Sequence, residues 1–400
     1  MSLELVESKV EAREKKTAGT CARCIIDSKV PGAAFDSEGI CNFCRLHDKL
    51  ERRFPLTQAG AEQFQKILDR IRRHGRSRKY DCVVGISGGR DSTYLLYLAK
   101  KVWGLKPLAV HFNNGFGNPV AGENMAKAVQ KLGVELRTIT SDWREAKDLK
   151  IAFLRASVPG INISMDIGIA TSLYGVAARE KIKYLLIGQS FRTEGICPLS
   201  WNYLDGYYMK AVHERFGTVP LRPWKPEDPG FNLDLPQLVY YALWKGIKAI
   251  PALYLTPYIR REAEEILKKE LDWIYPGAHY YDDLYQSLMQ YLYRVKFGID
   301  RRIFNYSALV RSKQMRREEA LDRMKETYVI EDPKVIGLCI KRLGLTEEGF
   351  QEIMALPPRT FRDYPNRYDF FRRFAWLIQI LSRLNVLPGT TYDKFFNCGN

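Results

Sequence analysis

The chain has 400 residues, 46% of them hydrophobic and 27% charged, so it can bury a sizeable core and form two or three domains. No stretch approaches the ~20 consecutive apolar residues of a membrane-spanning helix, and the polar start lacks the apolar core of a secretory signal, so we expect a cytoplasmic protein. The formal net charge of +16 indicates an anionic partner: a nucleotide, a nucleotide-linked sugar, a nucleic acid, an acidic protein or lipid headgroups.

Two C-x-x-C pairs lie near the N-terminus, at Cys21, Cys24, Cys41 and Cys44. Their spacing, C-x₂-C-x₁₆-C-x₂-C, is typical of a four-thiolate zinc site. Four protein ligands leave no open position on a tetrahedral metal, which favours a structural Zn²⁺ over a catalytic one. An iron–sulfur cluster is the alternative occupant. Among the other cysteines, only Cys197 is close enough to the expected crevice to be worth testing.

Short apolar strands then alternate with helical patterns. We predict strands at 82–86, 107–112, 134–139 and 184–188, and helices at about 61–73, 92–102, 121–132 and 167–181. This alternation indicates an α/β fold with a doubly wound parallel sheet. Prolines follow Gly206, and helical patterns continue to about residue 384. We therefore predict three domains: a zinc module with a lead-in helix (1–75), an α/β domain (76–225) and a helical C-terminal domain (226–400).

The first strand leads into the loop S-G-G-R-D-S, which has the features of a phosphate site. Two glycines permit a tight turn, backbone amides and a helix N-terminus supply partial positive charge, and serine hydroxyls add donors. Arg90 is a cation that could be directed at phosphates. The sequence matches neither the Walker loop nor the dinucleotide G-x-G-x-x-G. Ligands of such sheets bind at the carboxyl ends of the strands, so we expect Ser87, Phe112–Asn114, 140–142 and 188–190 to line one crevice.

The loop resembles the PP-loop of the ATP pyrophosphatase superfamily, whose members cleave ATP between the α and β phosphates with Mg²⁺ bridging the phosphates. The resemblance implies that pyrophosphate contacts Ser87, Gly88, Gly89, Arg90, Asp91 and Ser92. It also implies that the nucleotide lies against the second strand end, at His111, Phe112 and Asn113.

Longer blocks are similar to the N-acetyl sugar amidotransferases of bacterial surface-polysaccharide (lipopolysaccharide O-antigen) biosynthesis. They include CARCIIDSKVPGAAFDSEGICNFC, AFLRASVPGINISMDIGIATSLY, RTEGICPLSWNY and KFGIDRRIFNYSALVRSKQMRREEAL, and they span residues 21 to about 321. The resemblance implies an ATP-dependent ligase that converts an acetamido group into an acetamidino group through an adenylylated imidate. The chain shows no glutaminase nucleophile motif, so ammonia is expected from separate subunits resembling the glutaminase of imidazole glycerol phosphate synthase.

The family resemblance also implies where the acceptor sugar binds. We expect this sugar to be nucleotide-linked and to contact the RTEG segment and the residues just before the predicted helix at about 167–181. We expect substrate contacts from Arg192, Thr193, Glu194, Gly195, Asn162 and Asp166, with Gly188 and Gln189 at the fourth strand end. Glu194 would orient substrate or metal, although capping or ion pairing is the alternative for both acids. His279, Tyr280 and the segment Lys296–Arg301 are weaker candidates. Asn113 stands where the family has aspartate, which leaves a metal or ribose role at that position open.

An RNA-modifying PP-loop enzyme is the main alternative function, and a nucleotide-sensing subunit that binds without cleaving is a third. Basic residues concentrate between Lys66 and Lys79 and between Arg294 and Lys325, where Phe297, Phe304 and Tyr306 are interleaved. Solvated helix faces are an equally good interpretation of these segments. The C-terminal half contains no recognisable RNA-binding module, so we expect no nucleic-acid partner.

Overall fold

The computed structural model describes residues 19–275, 283–326 and 333–383. Two of the weaker candidate residues, His279 and Tyr280, lie outside the described residues. None of the helices in the described ranges is long and apolar enough to cross a membrane.

Five strands form the sheet: β1 (Cys82–Gly85), β2 (Pro107–Asn113), β3 (Leu136–Thr140), β4 (Tyr184–Leu186) and β5 (Lys248–Ile250). The helices of the first two thirds are α1 (Asn42–Arg53), α2 (Gln58–Gly75), α3 (Arg90–Tyr97), α4 (Pro119–Leu132), α5 (Trp143–Ala156), α6 (Ile163–Arg179), α7 (Gly206–Phe216), α8 (Leu235–Val239) and α9 (Arg260–Leu271). The last third contains α10 (Tyr285–Val295), α11 (Arg302–Arg311), α12 (Arg317–Lys325), α13 (Pro333–Arg342), α14 (Glu347–Ala355), α15 (Tyr368–Arg373) and α16 (Ala375–Arg383). Two π-helical turns (Leu98–Val102, Tyr240–Trp244) and two 3₁₀ turns (Ala252–Tyr254, Phe361–Asp363) complete the described elements.

The sheet has the order β3-β2-β1-β4-β5, and all its paired strands are parallel. The predicted parallel α/β sheet is therefore confirmed. The chain passes from β1 to β2 and β3 on one side and then returns to place β4 on the other side of β1. Open α/β sheets bind their ligands in the crevice outside such a reversal, which here lies at the carboxyl ends of β1 and β4.

Helices cover both faces of the sheet, and β1 shows this most directly. Val83 belongs to the core that contains α6, whereas Cys82 and Val84 belong to the core that contains α2, α3, α4 and α9. All three side chains are buried, because successive residues of a strand face opposite sides of its sheet. A strand buried on both faces is continuously apolar, which is why this segment was recognisable in the sequence.

Several elements were not predicted, among them α1, β5 and α5. Strand β5 lies at the sheet edge inside the stretch we predicted to be helical, and its three residues are too few to show a periodic pattern. Helix α5 buries Glu145, Asp148 and Lys150 on its inward face, which obscures the apolar stripe expected of an amphipathic helix.

Candidate functional site

The loop after β1 closes tightly on itself and on its surroundings. Gly88 has φ +81°, and a Cβ at this position would lie 2.1 Å from the carbonyl oxygen of Ala121, so only glycine fits. The Ser87 amide donates to Ser92 Oγ at 3.1 Å, and the two serine hydroxyls are also 3.1 Å apart. Gly89 is the N-cap of α3. The loop therefore presents a helix N-terminus and two hydroxyls at the crevice, as an anion site requires.

Arg90 is turned into the protein. Its Nε donates to Asp91 Oδ1 at 2.8 Å and to the hydroxyl of Tyr258 at 2.9 Å, and its Nη1 donates to Glu264 Oε1 at 2.9 Å. The side chain is 10% exposed. The structure thus shows Arg90 paired with two carboxylates, in contrast to our expectation that it points towards phosphates. In this arrangement Arg90 and Tyr258, which also donates to Asp91, hold the Asp91 carboxylate in place.

Glu194 lies beside Asp91, although 103 positions separate them in the sequence. Burial, followed by the charge of Asp91 and a hydrogen bond between the two side chains, raises the pKa of Glu194 to about 8. Adjacent carboxyl groups can share a proton or hold one divalent cation between them. The structure therefore brings together the two acidic residues that the sequence assigned to the loop and to the acceptor side.

A second polar cluster lies next to this carboxyl pair. Asp166, on the first turn of α6, accepts hydrogen bonds from the Nδ2 atoms of Asn162 at 3.0 Å and Asn202 at 3.5 Å. Arg301 lies with its guanidinium carbon 5.5 Å from the centre of the Tyr293 ring. Tyr293, Cys197 and Asp166 outweigh the effect of burial and raise the pKa of Arg301, which also acts electrostatically on Glu194. Arg301 thus connects the Asp91–Glu194 pair with the Asp166 cluster.

The three residues predicted to bind the nucleotide lie at the carboxyl end of β2, but their side chains face different directions. His111 Nδ1 is 3.1 Å from the carbonyl oxygen of Ile86, and burial lowers the pKa of this imidazole. Phe112 packs towards α6 against Phe231, on the opposite face of the sheet from α3. Asn113 Oδ1 accepts from the Gly115 amide at 3.0 Å, which shapes the turn after β2.

Gly188 and Gln189 lie where they were predicted, after β4. A Cβ on Gly188 would be 3.5 Å from the carbonyl oxygen of Asp91, so this glycine borders the phosphate loop. Gln189 is exposed.

The rest of the RTEG segment faces the zinc module and α11. Arg192 donates from Nε and Nη2 to the Glu51 carboxylate, both at 2.8 Å. Its Nη1 donates to the carbonyl oxygen of Tyr254 and its Nη2 to that of Phe54, both at 2.9 Å. Its side chain is 4% exposed. Thr193 is buried, and Gly195 packs at φ +76° against the backbone of α11. Of the four RTEG residues predicted to contact substrate, only Glu194 lies beside Asp91 of the loop.

The four cysteines of the N-terminal pairs converge on one point. All four are 0% exposed, and their sulfur atoms lie within 4.8 Å of one another. Cys21 and Cys44 Sγ are 3.8 Å apart, and Cys24 and Cys41 Sγ are 3.6 Å apart. A tetrahedral zinc with Zn–S bonds of about 2.3 Å requires sulfur atoms ~3.8 Å apart, so this geometry fits Zn²⁺.

The cysteine cluster also receives basic residues from the C-terminal half. Arg311 Nη1 lies 3.6 Å from Cys24 Sγ, and Arg317 donates to the carbonyl oxygens of Cys24 at 3.1 Å and Cys21 at 2.9 Å. Arg302 pairs with Asp300 at 2.7 Å. Much of the basic segment between Arg294 and Lys325 is therefore engaged inside the protein, which weakens its interpretation as a nucleic-acid surface.

Sequence reasoning missed several residues of this site: Tyr258, Glu264, Asn202 and, as more than a weak candidate, Arg301. No local motif marks them, because each reaches the crevice from a segment distant in sequence. The only available signal was that Asn202 lies within the block RTEGICPLSWNY and Arg301 within KFGIDRRIFNY.

Two comparisons bear on function. Residues 278–377 match the family model described as "LPS biosynthesis protein WbpG-like, C-terminal domain". The chain is also similar to "Uncharacterized protein MJ1599" of Methanocaldococcus jannaschii, with 25% identity over 220 residues that cover 52% of this chain and 75% of that protein. The matched C-terminal segment, which carries Arg301 into the crevice, supports a place for the chain among polysaccharide-biosynthesis proteins.

Proposed function

We propose that the protein is an ATP-dependent, AMP-forming amidotransferase that converts the acetamido group of an N-acetyl sugar into an acetamidino group in surface-polysaccharide biosynthesis. The observation that carries the proposal is the contact between Asp91 of the S-G-G-R-D-S loop and Glu194, next to Arg301 of the WbpG-like segment. This contact joins a phosphate-type loop to a polar cluster in a chain that carries a segment similar to a lipopolysaccharide-biosynthesis domain.

In the proposed reaction, the acetamido oxygen attacks the α phosphorus of ATP, and the bond to pyrophosphate breaks. Ammonia then adds to the imidate carbon, the C–O bond breaks and AMP leaves with the former amide oxygen. The loop amides and the hydroxyls of Ser87 and Ser92 would stabilise the negative charge that accumulates on the departing pyrophosphate.

The cofactor requirements follow from the same residues. Asp91 and Glu194 supply the carboxylate oxygens that Mg²⁺ prefers, and Mg²⁺ would neutralise phosphate charge when bound with ATP. The four-cysteine cluster would hold a structural Zn²⁺, because four protein thiolates leave no open position on the metal. Ammonia would come from a separate glutaminase.

The test is mass spectrometry of a reaction containing the protein, ATP, Mg²⁺, ammonium and a panel of nucleotide-linked N-acetyl sugars, with AMP followed in parallel. We expect a product sugar in which NH replaces O, formed in equal amount to AMP, and loss of both with Asp91→Ala. AMP formed only when tRNA is added would support the RNA-modifying alternative and refute the sugar proposal.

A further inference from the structure

Two buried amide oxygens in the cluster around Asp166 have no hydrogen-bond partner. Asn162 Oδ1 and Asn202 Oδ1 are shielded from solvent and accept no hydrogen bond within the part of the chain that the structure describes. Buried polar atoms are nearly always paired in folded proteins, and an unpaired one at a crevice calls for an explanation.

The orientation of both amides follows from Asp166. An ionised carboxylate can only accept hydrogen bonds, so each asparagine must direct its NH₂ group towards Asp166 and its oxygen away from it. Asn162 is the N-cap residue of α6, whereas Asn202 belongs to the connection between β4 and α7. Two separate parts of the chain thus present one acceptor each, aligned by a single carboxylate.

We propose that Asn162 and Asn202 form a paired-amide receptor for the acceptor sugar, in which one oxygen accepts the acetamido N–H and the other accepts a neighbouring hydroxyl. Asp166 is the positioning residue for both, because it accepts a hydrogen bond from each amide. This inference rests on the proposed function and specifies how the acceptor is recognised.

The arrangement also suits the chemistry. A hydrogen bond from the acetamido N–H to a carbonyl acceptor increases the electron density on the acetamido oxygen and leaves that oxygen free. The same oxygen is the proposed nucleophile towards the α phosphorus. The receptor lies on the loop side of the site, because Arg301 acts electrostatically both on Asp166 and on Glu194 beside the loop.

Access to the receptor depends on the connection between β4 and α7. Residues 187–205 contain turns but no helix or strand, and they carry Glu194, Cys197 and Asn202. Long irregular connections in compact domains are commonly functional. Outward displacement of this segment would move Asn202 away from Asp166 and open the receptor, and its return would bring Asn202 onto the bound sugar.

The experiment measures binding by calorimetry in the presence of Mg²⁺ and a non-cleavable α,β-methylene analogue of ATP. The probes are UDP-N-acetylglucosamine and UDP-N-acetylgalactosamine, each compared with the matched UDP-hexose that has a hydroxyl in place of the acetamido group. The variants are Asn162→Leu and Asn202→Leu, and the control is Gln65→Leu, an exposed α2 residue that hydrogen-bonds Asp69.

We expect the wild-type protein to prefer an acetamido sugar, and each asparagine variant to lose about tenfold in affinity for it (~1.4 kcal/mol). Affinity for the UDP-hexose and for the ATP analogue should remain close to that of the wild type, which also shows that the variants are folded. Wild-type affinity and preference in both variants would overturn the receptor and leave the proposed function intact. Failure of the wild-type protein to prefer any acetamido probe would instead overturn the proposed function and the receptor together.

Discussion

Replacing Arg192 by methionine tests whether this residue stabilises the fold or contacts substrate. The change removes two hydrogen bonds to Glu51 and two to backbone carbonyls, all at 2.8 to 2.9 Å, from a side chain that is 4% exposed. Breaking a fully buried ion pair costs ~3–5 kcal/mol. The Glu51 side chain is 36% exposed, so water recovers part of that loss and we expect ~2–4 kcal/mol.

The pH dependence of this loss can be derived from Glu51. Burial alone would raise its pKa, but hydrogen bonds from His47 and Arg192 outweigh burial and lower the pKa to about 2. A lowered carboxyl pKa stabilises the folded state fully above the unfolded value of ~4.3 and progressively less as the pH falls towards 2. The stability difference between Arg192→Met and the wild type should therefore shrink between pH 5 and pH 2, as those pKa values require.

The assay is urea unfolding at several pH values for Arg192→Met, Glu51→Gln and the double variant, with acceptor affinity measured on the folded proteins. Arg45→Met is the matched control, because its side chain is 51% exposed and pairs with Asp36 on the surface of the same module. We expect that control to change stability far less than Arg192→Met does, because exposed ion pairs contribute little to stability. Unchanged stability in Arg192→Met, combined with weakened acceptor binding, would refute the structural role and restore the predicted substrate contact.

Four further predictions concern the site. Gly88→Ala should abolish binding of the ATP analogue in calorimetry, because its Cβ would lie 2.1 Å from a backbone oxygen at φ +81°; wild-type affinity would contradict the tight loop. The pKa of Glu194 is raised to about 8, so the metal-free protein should lose stability as the pH rises from ~4.5 through 8. In thermal melts, Glu194→Gln should remove this dependence of the melting temperature on pH. Arg301→Met should lower the rate of AMP formation by ~100-fold (~2.7 kcal/mol) while the ATP analogue still binds; an unchanged rate would exclude Arg301 from the site. Cys24→Ser should reduce bound zinc, measured by mass spectrometry of metals, and lower the melting temperature, whereas iron with visible absorbance in the wild-type protein would indicate a cluster instead of zinc.

The predictable part of the fold is the part governed by local rules. A strand buried on both faces must be continuously apolar, which made β1 and the other long strands recognisable. The glycines and serines of the loop were recognisable because only certain residues permit a tight turn at a helix N-terminus. The strand β5 was not recognisable, because its three residues are too few to show an alternating pattern. The helix α5 was not recognisable either, because buried charged residues interrupt its apolar stripe.

The sequence by itself determined the alternation of the first four strands with helices, the phosphate-type loop and the four-thiolate cluster, because each depends on neighbouring residues and fixed spacings. It could not assign partners to charged side chains, because an ion pair depends on which distant segments pack together. Only the tertiary structure decided that Arg90 turns inward to Glu264, that Arg192 holds Glu51, and that Glu194 meets Asp91. The same packing brings two distant residues to Asp166: Asn202 from the connection after β4 and Arg301 from the C-terminal helical region.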